Sequence, residues 1–329
     1  MIIKKNPFFL KNLKNIVIFG WSPNLGKIEV INKNLGIKTF IISSNSQKKL
    51  FIDINKVNFF ENIKRSDIKN FIKKTVKVDQ TLFLSISSYF IFNKSFINFL
   101  QGNLVNYFPS RLPFDKGRGG FSWHILRNDK ILNNSFHLIN DQINTGDVII
   151  SEKKIFPSYC KTPEDYEKFK WESFEIFYSY FIKNLKNKKK FYTFSQSNYI
   201  GNTNHALNTR LHGFIDWSMS SSQLYSFINA FDEPFVGAGT FLQNNKKVYL
   251  KSVHLHGGER TNHPFMSGLV IRHDKDWIVV ATKDNYCILV EKVLDIKGKN
   301  IISFIKEGDR FITPVKYLEE AKKIIINYR

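Results

Sequence analysis

Apolar runs of five or six residues alternate with helically spaced stretches over the first two thirds of the chain. Asn15-Ile16-Val17-Ile18-Phe19-Gly20 is apolar almost throughout and closes on glycine, the pattern of a strand buried on both faces. A loop over Trp21–Gly26 and a helix to about Leu35 follow, with Gly36 as the natural stop. Lys38–Ser43 reads as the next strand, giving a βαβ opening. No G-x-G-x-x-G follows the first strand, so a dinucleotide site is rejected. The pattern continues as a helix over Asp67–Thr75, a buried strand over Thr81–Ile86, a short helix over Lys94–Leu100 and a strand at Leu104-Val105-Asn106. Val148–Ile150 is a further strand. Thr162-Pro163-Glu164-Asp165 then starts a long helix, with Thr as N-cap, Pro in the first turn and acids beside the helix dipole. Tyr166, Phe169, Phe174, Phe177, Phe181 and Leu185 recur along it as a core stripe, and Lys186–Lys190 reads as its solvated end.

From about Phe241 the period shortens. Lys247–Val253, Gly268–Arg272, Trp277–Ala281 and Tyr286–Val293 are short alternating segments separated by turn residues, which predicts a small antiparallel barrel. Before it, Leu224, Phe227, Ile228 and Phe231 form the apolar face of one amphipathic helix. The expected domains are therefore 1–200, a linker with its connecting helix over 201–240, and the barrel over 241–329. His254-Leu255-His256-Gly257-Gly258-Glu259-Arg260 reads as a long barrel loop. Its two histidines lack an obvious third ligand, so no metal is expected.

Composition changes this picture little. The 329 residues suffice for two domains with proper cores, and 43% hydrophobic with 23% charged residues is ordinary for a globular chain. The formal charge is +21. Either a polyanionic partner or a compositional bias explains it. Lys, Asn, Ile and Phe are abundant together and the lysines are scattered along the sequence, which favours the bias. The two cysteines, Cys160 and Cys287, are far apart, which points to a reducing compartment. Met1–Lys14 has no signal-peptide core, and the longest apolar run, Thr81–Phe92, is broken by serines and too short for a bilayer. A cytoplasmic protein with no membrane partner is expected.

Candidate chemistry gathers between Asn106 and Asp147. Pro109 and Pro113 forbid a helix after Asn106, so the chain leaves the strand as a stiff loop. Gly117, Gly119 and Gly120 allow close backbone approach. A polar residue at the carboxyl end of a strand, followed by such a loop, is where open α/β sheets bind ligands.

The order of residues resembles the folate-dependent formyltransferase superfamily. Its hallmark is Asn-x-His-Pro-Ser-x-Leu-Pro, then a Gly-rich turn, a Trp-containing helix and Asp-x-Gly-x-Asp-Thr-Gly. Asn106, Pro109, Ser110, Leu112, Pro113, Gly117, Trp123, Asp141, Thr145 and Gly146 match. The family's His is Phe108 here, and its Asp before Thr-Gly is Asn144. Gly213–Trp217 and Pro234–Thr240 also resemble the family's connecting segment. The resemblance implies an α/β fold, a Rossmann-like, mostly parallel sheet followed by a small OB-like antiparallel β-barrel.

It also implies a reaction: formyl transfer from N10-formyltetrahydrofolate to a primary amine. Such transfer develops an oxyanion and must release an amine proton. The resemblance assigns Asn106 as oxyanion donor. Phe108 and Asn144 stand where the proton-handling His and its Asp would be. His137 and His124 are candidate replacement relays, with a structural role favoured for each. Ser88, Tyr89, Phe90 and Ile91 correspond to part of the pterin pocket, where backbone groups do most of the binding; Phe90 and Phe92 read equally well as core. Asn140 and Asp141 correspond to positions beside that pocket. Ser110, Arg111 and Leu112 face the acceptor by the same correspondence, Arg111 being either an anion contact or a solvated side chain.

The acceptor expected is a small-molecule amine, a nucleotide-linked amino sugar. Methionyl-tRNA formyltransferases usually carry Gly-Thr-Pro after the first strand and a basic insertion after the second. Here Gly20-Trp21-Ser22-Pro23 stands in the first place, and Asn45–Glu61 contains no Gly- and Pro-rich basic insertion. The charge of +21 pulls towards tRNA, so methionyl-tRNA formylation is the alternative. A formyltransferase-like binding protein without chemistry is the other, because of Phe108 and Asn144.

Overall fold

The structure is a computed structural model, and it describes residues 7–51, 56–60, 65–117, 120–196, 201–258 and 261–323. Of the segments singled out above, Gly119, the Glu259-Arg260 pair, residues 1–6 of Met1–Lys14 and residues 52–55 and 61 of Asn45–Glu61 lie outside these residues. The chain divides into two compact units. The first takes residues to Gly117, Ile131–Ile155 and Phe169–Thr203; the second takes Arg118–Lys130, Phe156–Lys168 and the chain from Asn204 onward.

The first unit is built on a seven-stranded sheet. Its strands in chain order are β1 (Asn15–Gly20), β2 (Lys38–Ser44), β3 (Val57–Phe60), β4 (Thr81–Ile86), β5 (Leu104–Phe108), then, past the three-residue β6 (Asp115–Gly117), β7 (Ile131–Leu138) and β8 (Val148–Ile155). The spatial order is β3-β2-β1-β4-β5-β7-β8. The first five are parallel, and β7 and β8 run antiparallel to their neighbours. Alternation splits the apolar side chains between two cores. Ile16, Ile18, Leu82 and Leu84 join one with α1 (Leu25–Asn34) and Phe174, Phe177 and Phe181 of the long helix Pro163–Lys186. Val17, Phe19 and Phe83 join the other with α2 (Arg65–Thr75) and α3 (Lys94–Phe99). The sequence omits a clear signal for β3, which has only four residues, all half-buried at the sheet edge.

The second unit contains α4 (Gly120–Leu126) and, after the long helix α5 (Pro163–Lys186) and the short β9 (Asn202–Asn204), α6 (Thr209–His212) and α7 (Ser221–Ala230). Ser220 opens α7 with a capping box through Gln223. A six-stranded antiparallel sheet follows: β10 (Ala238–Leu242), β11 (Lys247–Gly257), β12 (Val270–His273), β13 (Ile278–Val280), β14 (Tyr286–Leu294) and β15 (Phe311–Ile312), in the order β12-β13-β14-β11-β10-β15. The two ends of that order meet. Leu269 bridges Arg310, Val270 N–H donates to Asp309 O at 2.8 Å, and Phe311 N–H donates to Gly268 O at 2.8 Å. The sheet thus curls into a barrel-like layer around Val248, Leu250, Ile288 and Phe311. The chain continues into α8 (Val315–Lys323), whose polar sequence carries little apolar signal.

One local expectation is corrected. His254–Gly257 is not loop but the end of β11, paired with β14 from Val253 opposite Val290 to Gly257 opposite Tyr286. Leu255 is exposed there, so the segment lacks the inward apolar residue that marks a half-buried strand. His254 Nε2 lies 3.2 Å from Glu291, and its Nδ1 lies 3.3 Å from Lys161 Nζ. Among the described residues no three His, Cys, Asp or Glu side chains group to hold a metal. Among the same residues no helix is long and apolar enough to cross a membrane.

Candidate active site

The candidate site is built at the carboxyl ends of β4 and β5 and the adjoining end of β7. On β5 the alternation is decisive. Val105 and Tyr107 face the α5 core, whereas Leu104 packs into the other core. Asn106 and Phe108 therefore project on the same side as Leu104. Tyr107 is fixed from behind: its hydroxyl donates to Asn134 Oδ1 at 2.7 Å, and Asn134 Nδ2 donates to Ser173 Oγ at 2.7 Å.

In the antiparallel β5–β7 pair, Asn106 sits opposite His137 and Phe108 opposite Ser135. Directly opposed residues point to one face, so register alone brings Asn106 to His137. Asn106 Nδ2 lies 3.0 Å from His137 Nε2, and His137 Nδ1 lies 2.8 Å from Leu138 O. A carbonyl oxygen only accepts, so Nδ1 carries the proton and Nε2 accepts from the Asn106 amide. One N–H of the Asn106 amide is thereby committed to His137. The Phe108 ring stands edge-on to His137 with centroids 6.3 Å apart.

His137 is fully buried. Desolvation pushes its pKa down to about 4, against smaller upward effects of the Leu138 carbonyl and the Asn144 side chain. At neutral pH the ring is uncharged, as the assigned hydrogen bonds require. Asn144 thus reaches the same histidine. It has a left-handed φ of 55°, a conformation Asn tolerates well. Its loop is internally tied: Asn140 Oδ1 accepts from Gln142 N–H at 3.2 Å and from the Thr145 hydroxyl at 2.8 Å. Gly146 follows because a Cβ there would run into the Leu138 carbonyl.

The pterin-side candidates divide by burial. Phe90 is buried in the aromatic core with Phe19 and Phe96, whereas Tyr89 and Ile91 are 65% and 60% exposed. Across the site, Ile143 is 61% exposed. Three large apolar side chains thus stand exposed on the segments that follow β4 and β7, and Ser88 Oγ accepts from Phe90 N–H at 3.1 Å to shape the loop of the first two. Asp141 is exposed and Asn140 half-buried. Gly20, with φ 107°, lets β1 pass close under this loop, since a Cβ there would meet Ile86 O and Ser88. Residue-type reasoning misses Gln47, whose Nε2 donates to Ser87 O at 3.0 Å. A glutamine two strands away in sequence gives no signal of that contact.

Of the acceptor-side candidates, Leu112 is buried and Arg111 half-exposed. The Arg111 guanidinium lies 3.3 Å from Asp115 and over the Phe114 ring, 5.5 Å from its centroid. Leu112 N–H donates to Ser110 O at 3.0 Å. His124 belongs to the second unit, buried between Phe121 and Phe156 with Asp129 at 3.7 Å, an arrangement of a packed structural histidine. Two concavities of the second unit, about 740 and 480 Å³, are lined by parts of Ala206–His212 and Pro234–Val236; neither includes Asn106 or His137.

Comparison with known proteins agrees with the fold. Residues 209–306 match the formyl transferase C-terminal domain family. A methionyl-tRNA formyltransferase from Desulfotalea psychrophila is 24% identical over 192 residues, 57% of this chain and 56% of that protein. The chain thus spans little more than half the length of that curated relative. Among solved structures, the sugar 3N-formyltransferase WlaRD, determined with dTDP and 5-N-formyl-THF, superposes with a TM-score of 0.61 at 18% identity, covering 85% of this chain and 97% of that one. An N-formyltransferase from Helicobacter canadensis, in complex with folinic acid and dTDP-3-aminofucose, gives 0.58 at 17% identity, covering 85% and 99%. HypX from Aquifex aeolicus gives 0.53 at 12% identity, covering 87% of this chain and 45% of that one. The mostly parallel sheet followed by a curled antiparallel layer is the formyltransferase fold.

Proposed function

We propose formyl transfer from N10-formyltetrahydrofolate to a primary amine, that of a nucleotide-linked amino sugar, for a chain with the formyltransferase fold and a match to the formyl transferase C-terminal domain family. The observation that carries this reading is the Asn106 amide held by a neutral His137 at the end of β5. The free N–H of Asn106 is a donor for the formyl oxygen. A preorganised donor of this kind contributes about 2.7–4 kcal/mol to such a transition state. His137 acts as a positioning residue, because its Nε2 lone pair is already occupied by Asn106. Phe108 supplies no proton relay. The amine proton then passes to solvent or to a group of the acceptor.

The residues present fit a folate. Tyr89, Ile91 and Ile143 offer exposed apolar surface to a flat heterocycle, and the neighbouring loops offer backbone polar groups. When bound, the donor supplies the activated one-carbon unit. Ser110, Arg111 and Leu112 are the proposed acceptor side, with the Arg111 charge available if a phosphate competes with Asp115. The dTDP present with one structural neighbour and the dTDP-3-aminofucose held by another support the acceptor class. Methionyl-tRNA is the second reading, favoured by the curated relative.

The test is formyl release from N10-formyltetrahydrofolate with a panel of dTDP-amino sugars and with methionyl-tRNA, alongside a thermal shift with folinic acid. A folate at 100 times its dissociation constant stabilises the fold by about 2.7 kcal/mol. Turnover with an amino sugar supports the leading reading, and turnover with methionyl-tRNA alone replaces it. A shift without turnover identifies a binding protein, and no shift removes the folate site.

A further inference from the structure

The lysines that look scattered in sequence converge at one edge of the first unit. Strands β1, β2 and β4 start there, and helices α1, α2 and α5 end there. Lys38 N–H donates to Lys14 O at 2.9 Å and Lys14 N–H donates to Gln80 O at 3.0 Å, so the three strand entrances lie side by side. The end of α5 joins them: Lys186 Nζ donates to Leu13 O at 3.0 Å. Phe8 pairs with Phe191 in an isolated bridge, and Lys190 lies over the Phe9 ring. Across residues 8–15, 33–38, 73–80 and 183–192, lysine is the charged residue throughout, Asp79 excepted. Most of these lysines are exposed.

Two simpler accounts fall short. Lysines in the last turns of α1, α2 and α5 complement helix dipoles. That does not explain Lys11, Lys14, Lys38, Lys77 or Lys188–Lys190, which lie outside the helices. A uniform compositional bias would spread lysine over both edges. At the opposite edge, residues 20–24, 87–93, 106–113 and 139–147 contain no lysine; Lys48 and Lys49 follow β2, and Lys27 and Lys94 stand in the first turns of α1 and α3. Lysine is therefore concentrated by the fold at the edge away from the Asn106–His137 site.

We propose that this lysine edge is a docking surface for the phosphodiester backbone of RNA. Dense exposed lysine with little opposing charge suits a polyanion. Among the described residues of these segments, the large apolar side chain left exposed is that of Tyr192, with no exposed leucine, isoleucine or phenylalanine to anchor in a bilayer. The surface needs no base-specific contact, and it is independent of the formyl acceptor because it lies at the far end of the strands.

The experiment titrates a fluorescein-labelled mixed-sequence RNA duplex with the full chain across a series of salt concentrations. One variant carries Lys11→Glu, Lys14→Glu and Lys77→Glu; a control of equal charge carries Lys292→Glu, Lys299→Glu and Lys316→Glu. Circular dichroism and a melting curve establish that both are folded. A second edge variant with the same three lysines changed to Gln covers a failure of the Glu variant to fold. The expected result is salt-dependent binding, an affinity loss of at least about tenfold in the edge variant, and a salt slope flattened by roughly 0.9 for each phosphate no longer neutralised. The control keeps the slope. Equal loss in both variants makes the effect one of net charge and overturns the proposal. So does absence of binding near physiological salt, or binding to phosphatidylserine vesicles in place of RNA.

Discussion

Asn106 and His137 face each other across the β5–β7 ladder with Nδ2 and Nε2 3.0 Å apart, and the Leu138 carbonyl fixes which of them donates. A neutral, buried imidazole thereby orients the Asn106 amide, whose second N–H lies outside that bond. If Asn106 is the oxyanion donor, Asn106→Ala should lower kcat by about 10²–10³-fold, the typical loss for one such donor. Steady-state formyl transfer measures it; an unchanged kcat would remove Asn106 from the chemistry.

His137 makes a prediction in pH. Its folded pKa is near 4, below the 6.5 of an unperturbed histidine. Between those values the unfolded chain binds a proton that the native chain does not. Stability from this group is thus full above pH 6.5 and falls as pH drops towards 4, by up to about 1.4 kcal/mol per pH unit. Urea unfolding of the native protein and of His137→Gln at several pH values should differ in that slope. Equal slopes would mean that His137 titrates normally.

Phe108 and Asn144 flank the same ring. The double change Phe108→His with Asn144→Asp places an imidazole and a carboxylate where the superfamily carries them. It should raise formyl transfer, by up to the roughly 10²–10⁴-fold of a positioned acid–base group. Phe108→His alone should gain less, and Asn106→Ala in the double variant should cancel the gain. Asp tolerates the left-handed backbone at position 144, so the change is compatible with the loop. A native protein that is already fast, and slows with the double change, would show that another group moves the proton.

Gly146 is held against the Leu138 carbonyl, with its own carbonyl accepting from Gln196 Nε2. Gly146→Ala should push the Asn140–Gly146 loop off β7. The cost expected for such overpacking is about 1–3 kcal/mol. Thermal melts should fall, and folinic acid affinity should fall with them. Full stability with unchanged folate binding would mean that the loop yields freely.

Much of this protein was legible in its sequence. Local pattern fixes what one strand or helix must do, and strands such as Asn15–Gly20 and Thr81–Ile86, with the Thr162-capped helix, follow directly from apolar period and capping. The formyltransferase-like motif from Asn106 to Gly146 is likewise a matter of residue order. The tertiary structure decided what order leaves open. His137 meets Asn106 because of strand register, a relation between residues 31 apart that no local pattern encodes. Phe90 turned inward while Tyr89 and Ile91 turned out, a choice set by the core around Phe19. His254–Gly257 became strand because β14 offered it a partner, although its exposed Leu255 broke the expected alternation. Lysines dispersed along the chain became one surface because parallel strands begin, and their helices end, at the same edge. Long-range pairing acts between elements, and its free energy is realised only when they meet.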